Sequence, residues 1–331
     1  MKLLVTGATG FIGYHVSKYL IDAGNEVTLV DNLSRSTRDD LLKLLRKGHV
    51  DFQELDLTRS ENWNKLEGPY DAIFHLAAIN GTKNFYLRPY EVLETNVRLV
   101  GAMLEWHEKQ DSDTHIIWTS SSEVYAGVKG LTLPTEETLE VGINNVLNPR
   151  NAYAVSKIYG ESAIINYSRN KRVKFSIIRP HNIFGPRMGY DHVIPEFAIR
   201  IFRKENPFKI FGGQQTRSFC FITDFVDGLI AILNSEASFG QILNLGDDRN
   251  EITASDLAHM MFAFANVTPE IQFLEAPQGS VHRRIPNLER ARQLLQYEPE
   301  ANFSSSLKGT LDWYQLDYEN TKAIDKPHND K

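Results

Sequence analysis

Four side chains in this sequence have the chemistry and spacing to move a proton. The segment NAYAVSK carries Tyr153 and Lys157 at i and i+4, which puts both on one face of a helix. A phenol has a pKa of about 10, and an ammonium group beside it favours the phenolate, giving a base near neutral pH. Taken alone, a tyrosine and a lysine at this spacing are more often a surface pair. A second stretch, WTSSSEVYAG from Trp118 to Gly127, follows the apolar run Ile116-Ile117-Trp118, which reads as the end of a buried strand. Polar side chains at such a place are costly unless each finds a hydrogen-bond partner, so the stretch is a well-satisfied corner or a reaction site. Thr119 and Ser120 suit the first role, and the Ser121 hydroxyl would complete a trio with Tyr153 and Lys157. Glu123 is either a base within the site or a structural acceptor for backbone N–H groups.

A charged cofactor ring would help the phenolate form, and the N-terminus offers a place for one. VTGATGFIG sets Gly7, Gly10 and Gly13 directly after the first apolar run and at the start of a helical period. The first glycine permits a tight turn, the second lets a pyrophosphate approach the backbone, and the third lets helix and strand pack closely; the helix N-terminus offers free N–H groups to the anion. By itself this is a Gly-rich turn. Asp31 ends the second strand 18 residues past Gly13, where a carboxylate accepts from adenosine ribose hydroxyls and repels a 2′-phosphate, favouring NAD over NADP. Arg35 and Arg38 weaken that preference. Asp56 would meet the adenine or cap the next helix.

The elements that must position these groups alternate. KLLVTG, EVTLVD, VDFQELD, YDAIFHLAA, THIIWTS and VKFSIIRP read as strands, with helices from Phe11 towards Gly24, Asp39 to Arg46, Pro89 to Glu108 and Ala152 to Arg169. Strands apolar throughout and separated by helices indicate an α/β fold, a Rossmann-type doubly wound parallel sheet. We expect a cofactor domain over 1–180, a smaller α/β substrate lobe over 181–318 with strands free to cross between lobes, and a polar tail over 319–331. Later elements fall near Ile194 to Arg203, Asp224 to Asn234, QILNLG, Ala254 to Phe264 and Leu288 to Leu295. The 331 residues are 42% hydrophobic and 24% charged with a net charge of -6, which leaves no footprint for nucleic acid or an anionic membrane. Cys220 stands alone, and the short apolar start reads neither as a signal peptide nor as a span; a cytoplasmic protein is expected.

In order and spacing these motifs resemble the extended short-chain dehydrogenase/reductase family, specifically its nucleotide-sugar epimerases, dehydratases and decarboxylases. The match runs from Met1 to about Trp313 through the three glycines, Asp31, Asp56-Leu57, HLAA at His75 to Ala78, Asn96, the serine segment, YxxxK, RPHNIFGPR and QTRSFCFITD. The resemblance implies tightly bound NAD, regenerated each turnover, and transient oxidation at C4 of a nucleoside-diphosphate hexose. Tyr153 would take the hydroxyl proton, Ser121 would hold O4, and Lys157 would hold the nicotinamide ribose and lower the Tyr153 pKa. Implied cofactor contacts are Gly7, Gly10, Phe11, Ile12, Gly13, Asp31, Asn32, Ser34, Asp56, Leu57, Leu76, Ala77, Ala78, Asn96 and Pro180. Implied substrate contacts are Asn80, Ser122, Asn182, Val193, Lys209 to Phe211 against the base, and Arg217 and Arg284 on the phosphates, where guanidinium donors fork onto oxygen. Either arginine could instead be a solvated charge. No metal is implied.

The residues beside Ser121 distinguish the possible outcomes. Ser122-Glu123 resembles uronic-acid decarboxylases and GDP-mannose 4,6-dehydratases, where the glutamate helps at C5, whereas the surroundings of Tyr153 and NIFGPR resemble epimerases. The expected activity is a 4-epimerase (an isomerase), with dehydratase second and decarboxylase third. Rival readings are a non-catalytic NAD-binding regulator and a reductase using exchangeable NADPH. The helix from Pro89 to Glu108 carries an apolar band wider than one buried face needs, and the resemblance implies a homodimer through it and the Tyr153 helix.

Overall fold

The computed structural model describes residues 1–35, 43–45, 50–110, 113–128, 130–171, 173–276 and 280–324. Arg38, most of the helix expected from Asp39 to Arg46, and residues 325–331 lie outside them.

Six strands follow the alternation read from the sequence: β1 (Lys2–Thr6), β2 (Glu26–Asp31), β3 (Val50–Glu54), β4 (Ala72–His75), β5 (His115–Thr119) and β6 (Phe175–Pro180). The chain then makes the short strands β7 (Ile183–Phe184), β8 (Phe208–Phe211), β9 (Thr216–Ser218) and β10 (Cys220–Phe221) before β11 (Gln241–Leu245). β11 pairs in parallel with β6, so one seven-stranded parallel sheet runs in the order β11-β6-β5-β4-β1-β2-β3. The later half of the chain thus supplies an edge of the central sheet. Three further short strands, β12 (Glu251–Thr253), β13 (Ile271–Leu274) and β14 (Arg283–Arg284), complete the second lobe.

The helices are α1 (Phe11–Asp22), α2 (Ser60–Trp63), α3 (Thr82–Leu87), α4 (Pro89–Glu108), α5 (Asn151–Lys171), α6 (Val193–Phe202), α7 (Ile222–Leu233), α8 (Ala254–Ala265), α9 (Glu289–Leu295) and α10 (Phe303–Ile324). β4 and β5 are buried at every position because helices cover both sheet faces. Successive side chains of a strand point to opposite faces, so Leu3 and Val5 join a core with Val16 of α1 and Phe225 of α7. Leu4 joins the other, with Met103 and Trp106 of α4 and Ile164 of α5. A third core, including Phe197, Ile210, Met261, Leu311 and Tyr314, holds the second lobe. Leu307, Leu311 and Tyr314 recur at helical spacing and are buried, which carries α10 to Ile324, into the stretch expected as a tail. Among the described residues no helix is long and apolar enough to cross a membrane.

The chain winds outward from β1 through β2 to β3, then returns to β4 on the other side of β1. The crevice outside the carboxyl ends at such a reversal is where open α/β sheets hold ligands.

Candidate active site

A cleft of about 1460 Å³ opens over the carboxyl ends of the strands and is closed above by the second lobe. At its floor Gly7 turns the chain out of β1 with φ of +66°, and a Cβ there would lie 2.9 Å from Ala77 N. A Cβ on Gly13 would lie 2.0 Å from Gly7 O, so α1 packs against the turn at a distance only glycine allows. Gly10 caps α1 without any side-chain hydrogen bond, which leaves the helix N-terminus open to an anion. Asp31 Oδ2 accepts from Thr9 N–H at 3.1 Å and Oδ1 from Leu33 N–H at 2.8 Å, fixing the carboxylate at the rim. Asp56 Oδ1 accepts from both Thr58 N–H (3.0 Å) and Thr58 Oγ1 (2.7 Å), a turn ahead of α2 rather than its cap, which is Arg59 with no side-chain bond, and Asp56 lines the cleft. This cradle and open helix end fit a dinucleotide.

Of the residues expected to touch the cofactor, Phe11, Ile12, Asn32, Ser34, Leu57, Leu76, Ala77, Ala78 and Pro180 line the cleft with those just described. Asn96 does not line the cleft. It is buried, its Nδ2 donates to Ile79 O and Ser156 Oγ and its Oδ1 accepts from Ile79 N–H, so it anchors the segment after β4 from behind.

Tyr153 and Lys157, on the first turns of α5, are 5% and 4% exposed. The Lys157 Nζ donates to Thr119 O at 2.8 Å and sits 4.8 Å over the Trp118 ring and 5.7 Å from the Tyr153 ring centre. Burial brings Lys157 down to about 7, opposed by the Glu161 carboxylate. Burial pushes the Tyr153 phenol well up, opposed first by a hydrogen bond with Ser121. In the protein alone, then, burial outweighs the expected lowering of Tyr153. The Tyr153 ring stacks on Phe85 of α3 at 4.7 Å and 17°. Ser121 is extended and its Oγ accepts from Glu123 N–H at 3.2 Å, capping the 3-10 turn Ser122–Tyr125. Ser120 bonds a carboxylate, Glu161 Oε1 at 2.5 Å, rather than backbone.

Glu123 is neither a free base nor an acceptor for backbone groups. Its Oε1 accepts from Arg150 Nη2 and from Arg284 Nη1, each at 3.0 Å. Burial alone would raise its pKa, but Arg284 and Arg150 outweigh it and bring the carboxyl down to about 2. Arg284 is set here by β14, which pairs with β9 so that Arg284 stands beside Arg217. Arg217 donates to Thr216 O and Val281 O, each at 2.7 Å, and burial with the neighbouring Arg284 brings it down to about 9. Three guanidiniums therefore face one carboxylate, and Arg150 Nε and Arg284 Nη2 are buried with no protein partner. That cluster has donors and charge left over for an anion.

Asn80, Ser122, Asn182 and Val193 also line the cleft. Asn182 adopts φ of +47° and donates to Ser218 O at 3.0 Å. Lys209 and Phe211 do not line it: both lie on the outer face of β8, which alternates buried and exposed, while Phe208 and Ile210 take the core positions. Sequence reasoning missed Arg150 and Phe85. Arg150 sits in an Asn- and Pro-rich loop just ahead of Tyr153, where no periodicity marks it. Arg187 spans the lobes, its guanidinium 3.8 Å over the Tyr14 ring and donating to Thr9 O at 3.4 Å beside the glycine turn. Arg35 lines the cleft with Asp31 and donates to Asn80 O at 3.2 Å.

Comparison with known proteins agrees with this geometry. Residues 3–246 match the model of the NAD dependent epimerase/dehydratase family. UDP-glucuronic acid decarboxylase 5 of Arabidopsis thaliana is 30% identical over 93% of this chain and 87% of its own length. UDP-N-acetyl-alpha-D-glucosaminuronate decarboxylase of Bacillus cytotoxicus is 29% identical over 95% of this chain and 98% of its own. Among solved structures, UDP-glucuronic acid 4-epimerase from Bacillus cereus, in complex with UDP-glucuronic acid and NAD, superposes with a TM-score of 0.84 at 26% identity, over 96% of this chain and 100% of that one. With NAD as its cofactor, the chain belongs to the NAD-dependent epimerase/dehydratase family.

Proposed function

We propose that the protein is a nucleotide-sugar 4-epimerase, an isomerase, whose substrate carries a carboxylate on the sugar. The observation that carries this reading is Glu123 bound between Arg150 and Arg284. A carboxylate held that far down is a poor base for the C5 proton, which disfavours dehydration and leaves the chemistry to Ser121, Tyr153 and Lys157 at C4. Tyr153 takes the O4 proton and later returns it; Ser121 donates to O4 and orients it; Lys157 supplies positive charge beside the phenolate. Bound NAD supplies the hydride acceptor at C4 and then the donor. The Arg150 and Arg284 guanidiniums, which line the cleft, would receive a uronate, with Arg217 and Asn182 towards the diphosphate. This moves Arg284 from the phosphates to the sugar.

A second reading is decarboxylation. A uronate oxidised at C4 is a β-keto acid, which the same arginine pair would hold, and the curated relatives named above are decarboxylases. The test gives the purified protein UDP-glucuronic acid and UDP-glucose and identifies products by mass and NMR. The expected product is the C4 epimer of the uronate, with its mass unchanged. Loss of carbon dioxide would replace the first reading by the second, and loss of water would sink both.

In this reading the stretch before about residue 180 serves the cofactor and the stretch after it the substrate, and NAD stays bound between turnovers. A cytoplasmic setting belongs to the same proposal, supported by the single buried Cys220. So does a homodimer through α4 and α5, supported by Leu93, Val97 and Leu104, only half-buried after α4 packs on α5, and by exposed Tyr90 and Tyr159 nearby. Sedimentation at micromolar concentration should give twice the chain mass; the mass of a single chain counts against it.

A further inference from the structure

Behind the catalytic groups lies a buried ionic network that the chemistry above does not use. Glu161 is one helical turn beyond Lys157 on α5, and Arg179 lies on β6; they are 4% and 2% exposed. Their bond is two-pronged, Arg179 Nε to Glu161 Oε1 at 2.9 Å and Nη2 to Oε2 at 2.6 Å. Glu161 Oε1 also accepts from Ser120 Oγ at 2.5 Å. Arg179 Nη1 donates to Tyr125 Oη at 2.6 Å, and Tyr125 donates on to Asn244 Oδ1 at 3.1 Å.

As a device for stability this is a poor choice, because taking two charges out of water offsets most of their attraction and apolar residues of similar volume often do as well. Its connections end instead on both sides of the reaction centre. Ser120 immediately precedes Ser121, Tyr125 closes the turn that Ser121 caps, and Glu161 shares a helix face with Lys157. We propose that Glu161 is a positioning residue: through Ser120 and through Arg179 to Tyr125 it fixes the turn that aims Ser121, and its charge supports the buried Lys157 ammonium. The proposal rests on the reading of Ser121, Tyr153 and Lys157 as the reaction centre.

The electrostatic half follows from what surrounds Lys157. Trp118 and the Thr119 carbonyl face it from β5, Tyr153 and Glu161 from its own helix, and His75 from β4. Burial and the nearby Lys157 bring His75 down to about 3, so it is neutral at working pH. Burial brings Lys157 down to about 7 and Glu161 opposes this. If the ammonium is the working form, activity falls as pH rises through that value, and removing the Glu161 charge moves this alkaline limb to lower pH.

Three variants test the two halves: Glu161→Gln; the paired Glu161→Gln/Arg179→Met, which leaves no unpaired buried arginine; and Ser120→Ala, which cuts only the link to the turn. Each is assayed for kcat and KM against pH, for bound NAD and for thermal unfolding. Both Glu161 variants should lose about ten- to a hundredfold in kcat with KM little changed, and their alkaline limb should shift to lower pH. Ser120→Ala should lose kcat with the limb in place. Lower unfolding temperatures with wild-type kcat and an unmoved limb would overturn the proposal. Tyr153→Phe, measured alongside, separates the cases: if it is active the reaction-centre reading fails, and if it is inactive while the Glu161 variants match wild type, only the role of Glu161 fails.

Discussion

Tyr153→Phe lowers kcat by about two to four orders of magnitude, the range for loss of a positioned general base, and leaves the NAD content of the purified protein unchanged. The substitution removes one oxygen from a ring that stays stacked on Phe85, so packing survives and only the proton acceptor is lost. Lys157 is committed to the Thr119 carbonyl, Glu123 to two arginines, and His192, which also lines the cleft, is a weak base because burial, with Arg35 nearby, brings it down to about 4. Steady-state turnover on UDP-glucuronic acid, together with the absorbance of released cofactor, makes the measurement. Unchanged turnover would mean that another group takes the proton and that Tyr153 is not the base.

Glu123→Ala has the largest expected effect on stability. It leaves Arg150 and Arg284 buried without their carboxylate, a change that costs about 3–5 kcal/mol when one partner of a buried pair is removed. The pH dependence has a definite sign. The carboxyl lies near 4.5 when unfolded and about 2 when folded, so the group contributes its stability above 4.5 and loses it as pH falls through 2. At about 1.4 kcal/mol per unit, that shift corresponds to roughly 3 kcal/mol, in line with the figure for the broken pair. Urea unfolding of wild type and variant at neutral pH and near pH 3 would read both. Equal stability at neutral pH would mean that the arginines repack at no cost and that the pair is not structural. Glu123→Gln separates this role from chemistry: a C5 base would lose nearly all turnover, whereas an epimerase should keep most of it and bind a uronate more tightly, since the cluster gains a net positive charge.

The sequence carried the first half of the fold clearly because its strands are buried on both faces and its helices are long. β1 to β6, α4 and α5 appear where apolar runs and helical periods put them. Beyond β6 the sequence showed the helices and one strand, QILNLG, which joins the central sheet as β11. The strands of the second lobe are two to four residues long, and β9 and β14 consist largely of arginine, serine and threonine, so hydrophobic alternation has nothing to act on. α10 went unread although its buried Leu307, Leu311 and Tyr314 recur at helical spacing, because the stripe is narrow and the residues around it are mostly polar. The site followed the same division. The glycines, Asp31, Tyr153 and Lys157 were visible because local spacing on one element fixes their relation. The grip on Glu123 was not, because Arg150 and Arg284 come from segments far apart in the chain and meet only through the pairing of β14 with β9.

The return of β11 to the central sheet has a consequence for how the protein is made. Until Leu245 has left the ribosome, β6 presents an open edge, a row of backbone donors and acceptors ready to pair with any other strand. α7, which covers one face of the same sheet, emerges only shortly before it. The first six strands therefore wait for a seventh that is about sixty residues further along the chain, and the sheet reaches its full width only when residues beyond β10 have emerged.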